Sequence, residues 1–236
     1  MNLVGSRRLE PELMDDPGLD DRRHRVALRA LARLNVLSQA HEPVWQAIEP
    51  LLGDGRTLRL LDVATGSGDV PVRIGVMARK AGCSLEVAGC DKSPVAIGAA
   101  KERAAAAGVS ARFFTCDVLG EPLERGHDVV TCSLFLHHLD EAGIVALLRS
   151  MGEAAGAMVV ACDLRRTVRG LLLAAWASRL TTMSHIVHTD AVLSARAALT
   201  IEELRELAVR AGLEGAQVHR AWPSRMVLVW RRQEHT

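Results

Sequence analysis

Apolar residues along the chain alternate between two patterns, and the alternation sets the architecture. Runs 58–64, 85–91, 111–117, 128–133 and 157–163 are nearly continuous in Val, Leu, Ala and Cys. A strand covered on both faces needs that composition, whereas a half-exposed strand alternates apolar with polar. Helices are expected between the runs. Ser93-Pro94 can cap and open one that Gly108 closes, and Asp140 starts another that reaches about Glu153. Thr200 and Glu203 form a capping box ahead of Leu204, Leu207, Ala208 and Ala211, with a stop at Gly212. Residues 217–221 and 226–230 read as an antiparallel pair joined across Pro223-Ser224. The pattern predicts an α/β fold, a doubly wound seven-stranded sheet that is mostly parallel with an antiparallel C-terminal strand.

Two stretches stand outside that alternation. Residues 1–55 read as an N-terminal helical cap, with Val26, Ala30, Leu31, Leu34 and Leu37 spaced for one helix face. Residues 56–236 form the main domain, interrupted at 164–196 by an insertion. That insertion carries Arg165, Arg166, Arg169, Arg179 and Arg196 against a single acid, Asp190.

Composition narrows the class. In 236 residues, 49% are hydrophobic and 24% charged, which is enough apolar material for a packed core and excludes disorder over most of the chain. The longest apolar run, 171–177, is too short for the ~18–20 residues of a membrane span. No secretory leader is legible at the start, so a cytoplasmic location is the expectation. The formal net charge of +1 argues against a general nucleic-acid binder. Five cysteines without a C-x-x-C pair read as buried filler in a reducing compartment, and no metal set is apparent.

The chemistry gathers at strand ends. Asp62-Val63-Ala64-Thr65-Gly66-Ser67-Gly68-Asp69 is a strand, a G-x-G turn and a helix start. Glycine lets such a turn approach a ligand closely. Pro71 stands where a dinucleotide fingerprint wants Gly or Ala, and Asp69 puts a negative charge where a pyrophosphate would lie. The sign suits a cationic cofactor. Asp91, with Lys92 beside it, ends the next strand, where a carboxylate can accept from ribose hydroxyls. Cys116-Asp117 ends the third, where Asp117 can accept from a purine amine.

These residues resemble the class I S-adenosylmethionine-dependent methyltransferases. LDVATGSGD is similar to their glycine-rich first motif, GCDKSP to the ribose-binding strand end, FFTCDV to the adenine-contacting one, and DVVTCSLFLHHLD to the fourth-strand motif. The resemblance runs from about Arg56 to Arg232 and implies a Rossmann-like fold with S-adenosyl-L-methionine as cofactor. It implies that Asp62, Ala64, Gly66 and Gly68 line the methionine part and that Asp91 and Lys92 hold the ribose. Cys116, Asp117 and Val118 would take the adenine, and Ser133 would face the methyl donor. Ahead of the first motif, ALARLNVLSQAHEPVWQAI resembles the Y-D-x-x-N-x-x-x-S…W segment of ubiquinone/menaquinone-type methyltransferases. Asn35, Ser38 and Trp45 fit it, but the chain contains no tyrosine, which points to a relative acting on phenolic or polyketide-derived molecules.

Methylating a phenol requires removal of its proton, and histidine is the natural base near neutral pH. His137 and His138, directly after the fourth strand, are the candidates. Asn35, Trp176, His185 and His188 are the expected substrate-pocket residues, the last three within a lid over an aromatic or alkyl-bearing substrate. O-methylation is favoured over C-methylation, with a small molecule and no nucleic acid as partner, and apolar N-terminal helices leave room for a homodimer. TCSLFLHH replaces the N/D-P-P-Y/F signature that holds a flipped base. A non-catalytic cofactor-binding or assembly protein on the same fold is the alternative.

Overall fold

The computed structural model describes residues 5–13, 20–53, 55–181 and 185–233, with the side chains of 177–181 and 185 outside that description. The chain opens with α1 (Asp21–Leu37) and α2 (Glu42–Ile48), then alternates β1 (Leu58–Val63), α3 (Asp69–Lys80), β2 (Leu85–Asp91), α4 (Pro94–Ala107) and β3 (Ala111–Thr115). β4 (His127–Ser133), α5 (Glu141–Ala154) and β5 (Ala155–Leu164) follow. After α6 (Val168–Thr181), α7 (His185–Ala197) and α8 (Ile201–Arg210), the hairpin of β6 (Gln217–Ala221) and β7 (Arg225–Arg231) completes the sheet.

The strands form one seven-stranded sheet in the order β3-β2-β1-β4-β5-β7-β6. β7 runs antiparallel to both β5 and β6, so it is the one reversed strand. Both faces are covered, as the continuous apolar runs predict. Leu58 and Leu60 point to one face, against Val44 and Ile48 of α2 and Ile74 of α3. Leu61 and Val63 point to the other, against Leu147 and Leu148 of α5 and Leu204 and Leu207 of α8.

Local chemistry sets the helix ends. The Ser93 hydroxyl accepts from the Ala96 amide at 3.2 Å, and Asp140 accepts from the Gly143 amide at 2.8 Å. Thr200 and Glu203 close their capping box at 3.2 and 2.8 Å. Each contact satisfies an amide that the helix itself cannot reach.

The topology places a crevice at the carboxyl ends of β1 and β4. From β1 the chain winds outward to β3, then returns to β4 on the opposite side of β1. Register pairs Val63 with both Cys90 and Cys132, so Ala64, Asp91 and Ser133 emerge along the same edge. Ligands of doubly wound sheets bind at this switch point.

The two stretches outside the alternation roof that edge. α1 lies across α3, α4, α6 and α7. Its buried stripe is Ala27, Leu28 and Ala30 with Leu31 and Leu34 half-buried, while the expected Val26 and Leu37 are 51% and 64% exposed. The stripe is shifted because α1 rests on helices from several directions rather than on one flat face. The insertion is two helices packed on each other, with Val187 of α7 buried against Ala27 and Ala30.

Candidate active site

The crevice encloses about 1020 Å³, room for a nucleoside and a small second molecule together. Its floor begins at the turn after β1. Gly66 adopts φ +54° with open space where a Cβ would stand. Gly68 adopts φ +68°, and a Cβ there would sit 3.0 Å from Ala100 and 3.1 Å from the Phe113 ring. The first glycine leaves room for a ligand, and the second lets α3 start close against β3. Gly66 lies on the crevice wall and Gly68 behind it.

Asp62 is buried away from the wall. The hydroxyls of Thr65 and Thr131 donate to its two oxygens, each at 2.7 Å. Burial pushes its carboxyl up to about 7 despite those two donors. The residue braces the glycine turn from below and ties the ends of β1 and β4 together. Asp91 does reach the crevice, where its oxygens accept from the Gly66 amide at 2.8 Å and the Ser93 amide at 2.9 Å. Ala64, Lys92, Cys116, Asp117 and Val118 continue the floor, with Asp117 exposed. Asn35 of α1 donates to Asp69 at 2.9 Å, closing the roof onto the start of α3.

At the other end stand His137 and His138, in a helical turn over Leu136–His138. His137 is 4% exposed, and its Nδ1 lies 2.6 Å from Asp163 at the end of β5. Asp163 also accepts from the amides of His137 at 3.0 Å and Leu164 at 2.6 Å. Burial pushes the Asp163 carboxyl up, but the His137 ring and the Leu164 amide more than offset it, and it lies below the ordinary carboxylate range. Glu12, its side chain 8% exposed, comes within 3.7 Å of His137 Nε2 and 3.9 Å of His138 Nε2. The Ser194 hydroxyl donates to Glu12 at 2.5 Å.

The N-terminal segment brings Glu12 there. Arg7 donates to the carbonyls of Ala197 and Leu139, each at 2.6 Å, and the Leu13 amide donates to Asp190 at 2.8 Å. Neither anchor is visible as a local motif, and Glu12 lacks any periodic context. Asp163 was visible only as one more strand-end carboxylate. Of the remaining expected pocket residues, Trp176 stands 69% exposed and off the wall. His188 is half-buried on α7 away from the wall, and the His185 side chain lies outside the described residues. Arg225, missed in the sequence, lines the crevice and donates to Ser38 at 2.6 and 2.8 Å.

Ser133 lines the middle of the crevice with its buried Oγ unpartnered among the described residues. An orphaned hydroxyl beside carboxylates and an open glycine turn fits a polar, positively charged nucleoside. Residues 60–157 match the model of the methyltransferase domain family. The stretch from β1 into β5 is thus similar to a methyltransferase domain. The demethylmenaquinone methyltransferase of Thermus thermophilus is 36% identical over 74 residues, which are 31% of this chain and 32% of that one. The magnesium protoporphyrin IX methyltransferase of Synechocystis PCC 6803, with bound SAH, superposes at TM-score 0.59 with 18% identity, over 92% of this chain and 90% of that one. An O-methyltransferase family 2 protein of Planctomyces limnophilus, in complex with apigenin, gives 0.63 and 18%, over 92% and 63%. The mitomycin 7-O-methyltransferase MmcR gives 0.64 and 19%, over 90% and 59%. The chain thus spans about a third of the curated relative and about three fifths of the latter two structures. Much of the crevice lining, Ala64, Gly66, Asp91, Asp117 and Ser133 included, falls within the matched stretch.

Proposed function

We propose that the protein methylates a hydroxyl of a small phenolic or polyketide-derived molecule. The observation that carries this reading is a buried imidazole, held at Nδ1 by Asp163 and opening onto the crevice that Ser133 also lines. The O-methyltransferases among the structural relatives support oxygen as the acceptor atom.

Gly66, Asp91, Asp117 and Val118 would hold the nucleoside, while Asp69 and Ser133 would face its charged end. S-adenosylmethionine, when bound, supplies a methyl group on a sulfonium, an electrophile needing no activation by the protein. What the chain must add is orientation, dryness and a place for the acceptor's proton. Positioning of that kind contributes roughly 7–11 kcal/mol to such displacements. With Asp163 ionised and accepting from Nδ1, the His137 ring keeps its lone pair on Nε2. That nitrogen would take up the hydroxyl proton, with a Glu12 oxygen 3.7 Å from it. Leu28 and Leu31 of α1 and Leu173 of α6 roof the acceptor and limit water.

The test has two arms. Calorimetry with S-adenosylhomocysteine should show binding to the wild type and, equally, to His137→Asn. Turnover of a phenol panel should fall roughly 10²–10⁴-fold in that variant, the usual contribution of a general base. Turnover unchanged in His137→Asn removes the imidazole from the mechanism.

A further inference from the structure

We propose that Glu12, His137 and His138 form a binding site for one divalent transition-metal ion of the zinc type. The inference rests on reading this end of the crevice as the acceptor subsite. One ligand atom from each residue lies within 4.8 Å of the others. The carboxylate-to-imidazole separations of 3.7 and 3.9 Å exceed a direct hydrogen bond. They are close to the spacing of two donors on one ion, since bonds of ~2.0–2.2 Å at tetrahedral angles put donors roughly 3.3–3.6 Å apart.

Each ligand side is already held. Asp163 fixes the far nitrogen of His137 at 2.6 Å, the carboxylate–histidine pairing that orients metal-bound imidazoles. Ser194 fixes one oxygen of Glu12 at 2.5 Å, and the His138 ring stacks on Phe135 at 5.8 Å and lies tilted to His137 at 4.4 Å. Charge agrees: Glu12 brings a carboxylate to the ion, and Arg7, which feels Asp163, has its guanidinium engaged by the carbonyls of Ala197 and Leu139. Three protein ligands among the described residues leave a fourth position toward the crevice, which all three line. That is the pattern of a working rather than a structural zinc site.

An acceptor hydroxyl entering the fourth position would be acidified by the ion. The O–H bond breaks, the oxygen–metal bond forms, the proton passes to water at the crevice mouth, and no oxidation state changes. The two imidazoles then serve as ligands, and the ion replaces His137 as the activating group.

Cobalt(II) is the probe, titrated into chelator-treated full-length protein. The expected result is one ion per chain with the intense visible bands of four-coordinate cobalt. Glu12→Gln, on the surface segment, and Asp163→Asn should each weaken the ion roughly 10–100-fold, with S-adenosylhomocysteine affinity unchanged as the check on folding. Absence of the bands, or equal cobalt affinity in wild type and Glu12→Gln, overturns the site. If S-adenosylhomocysteine binds in that case, His137 remains the base and only the ion is lost. If it fails to bind the wild type, the reading of the crevice itself falls.

Discussion

On the floor of the crevice, Asp62, Asp91 and the glycine turn are joined by contacts among neighbouring strand ends, such as Thr131 to Asp62 and Asp91 to the Gly66 amide. The roof is joined differently. Arg7, Asn35 and Arg225 reach from one element to the carbonyl or carboxylate of another far along the chain. The floor is preorganised by the sheet that makes it, so changes there should cost folding and cofactor binding together. The roof is fastened by a few long side chains, so changes there should spare the cofactor and touch the acceptor.

Gly68→Ala is the strongest way to break the floor. The left-handed φ of +68° costs an alanine about 1–2 kcal/mol, and its Cβ would press on Ala100 and Phe113 at 3.0 and 3.1 Å. Adding about 1–3 kcal/mol for overpacking, a loss of roughly 2–5 kcal/mol is expected in denaturant unfolding. S-adenosylhomocysteine affinity should fall with it. Full affinity in a destabilised protein would show the turn to be independent of the site.

Arg7→Ala is the matching cut in the roof. Its donors hold the N-terminal segment that carries Glu12 to the histidine pair. Stability should fall by about 1.5–3 kcal/mol at most, the scale for charged hydrogen bonds. Acceptor KM should rise roughly tenfold, equivalent to about 1.4 kcal/mol, with cofactor affinity intact. A parallel loss of cofactor binding would erase the distinction between the regions.

The same division explains what could be read along the chain. Strands covered on both faces declare themselves by composition, and the caps at Ser93, Asp140 and Thr200 are chemistry within three residues. Asp91 and Ser133 follow because strand ends share one edge. The Asp62–Thr131 bond was invisible, since its partners meet only once β1 and β4 pair, and the family likeness had placed Asp62 on the cofactor wall. In the roof, Trp176 reads as a lid aromatic yet is exposed, while the smaller Ala174 of the same helix reaches the wall. Helical spacing gives relative directions but not which side faces a crevice. Glu12 required a segment without periodicity to be tied down by Arg7, and nothing local encodes that.

Asp62 sharpens the comparison through pH. Its folded-state value of about 7 lies above the ordinary carboxylate range, so between the two the native protein holds a proton that the unfolded chain has released. Stability contributed by this group therefore declines as pH rises from about 4 to about 7 and is level above that. Asp62→Asn lacks the titration. The stability of wild type minus that of Asp62→Asn should slope downward across this window in urea melts, and a flat difference would place the carboxylate in a wetter setting than the Thr65–Thr131 cradle.

The smallest expected effect lies in the roof, at Leu173. It is 44% exposed yet lines the crevice beside Ala174. Truncation to alanine removes little buried area, so unfolding should move by less than about 0.5 kcal/mol, as at most surface positions. An acceptor resting against this side chain would lose apolar contact worth roughly 1–3 kcal/mol. The ratio of kcat/KM between a bulky and a compact phenol should therefore fall several-fold in Leu173→Ala while S-adenosylhomocysteine binds as before. Equal losses for both phenols would mean that α6 covers the crevice without touching what it holds, and that acceptor choice is made nearer His138 and Phe135.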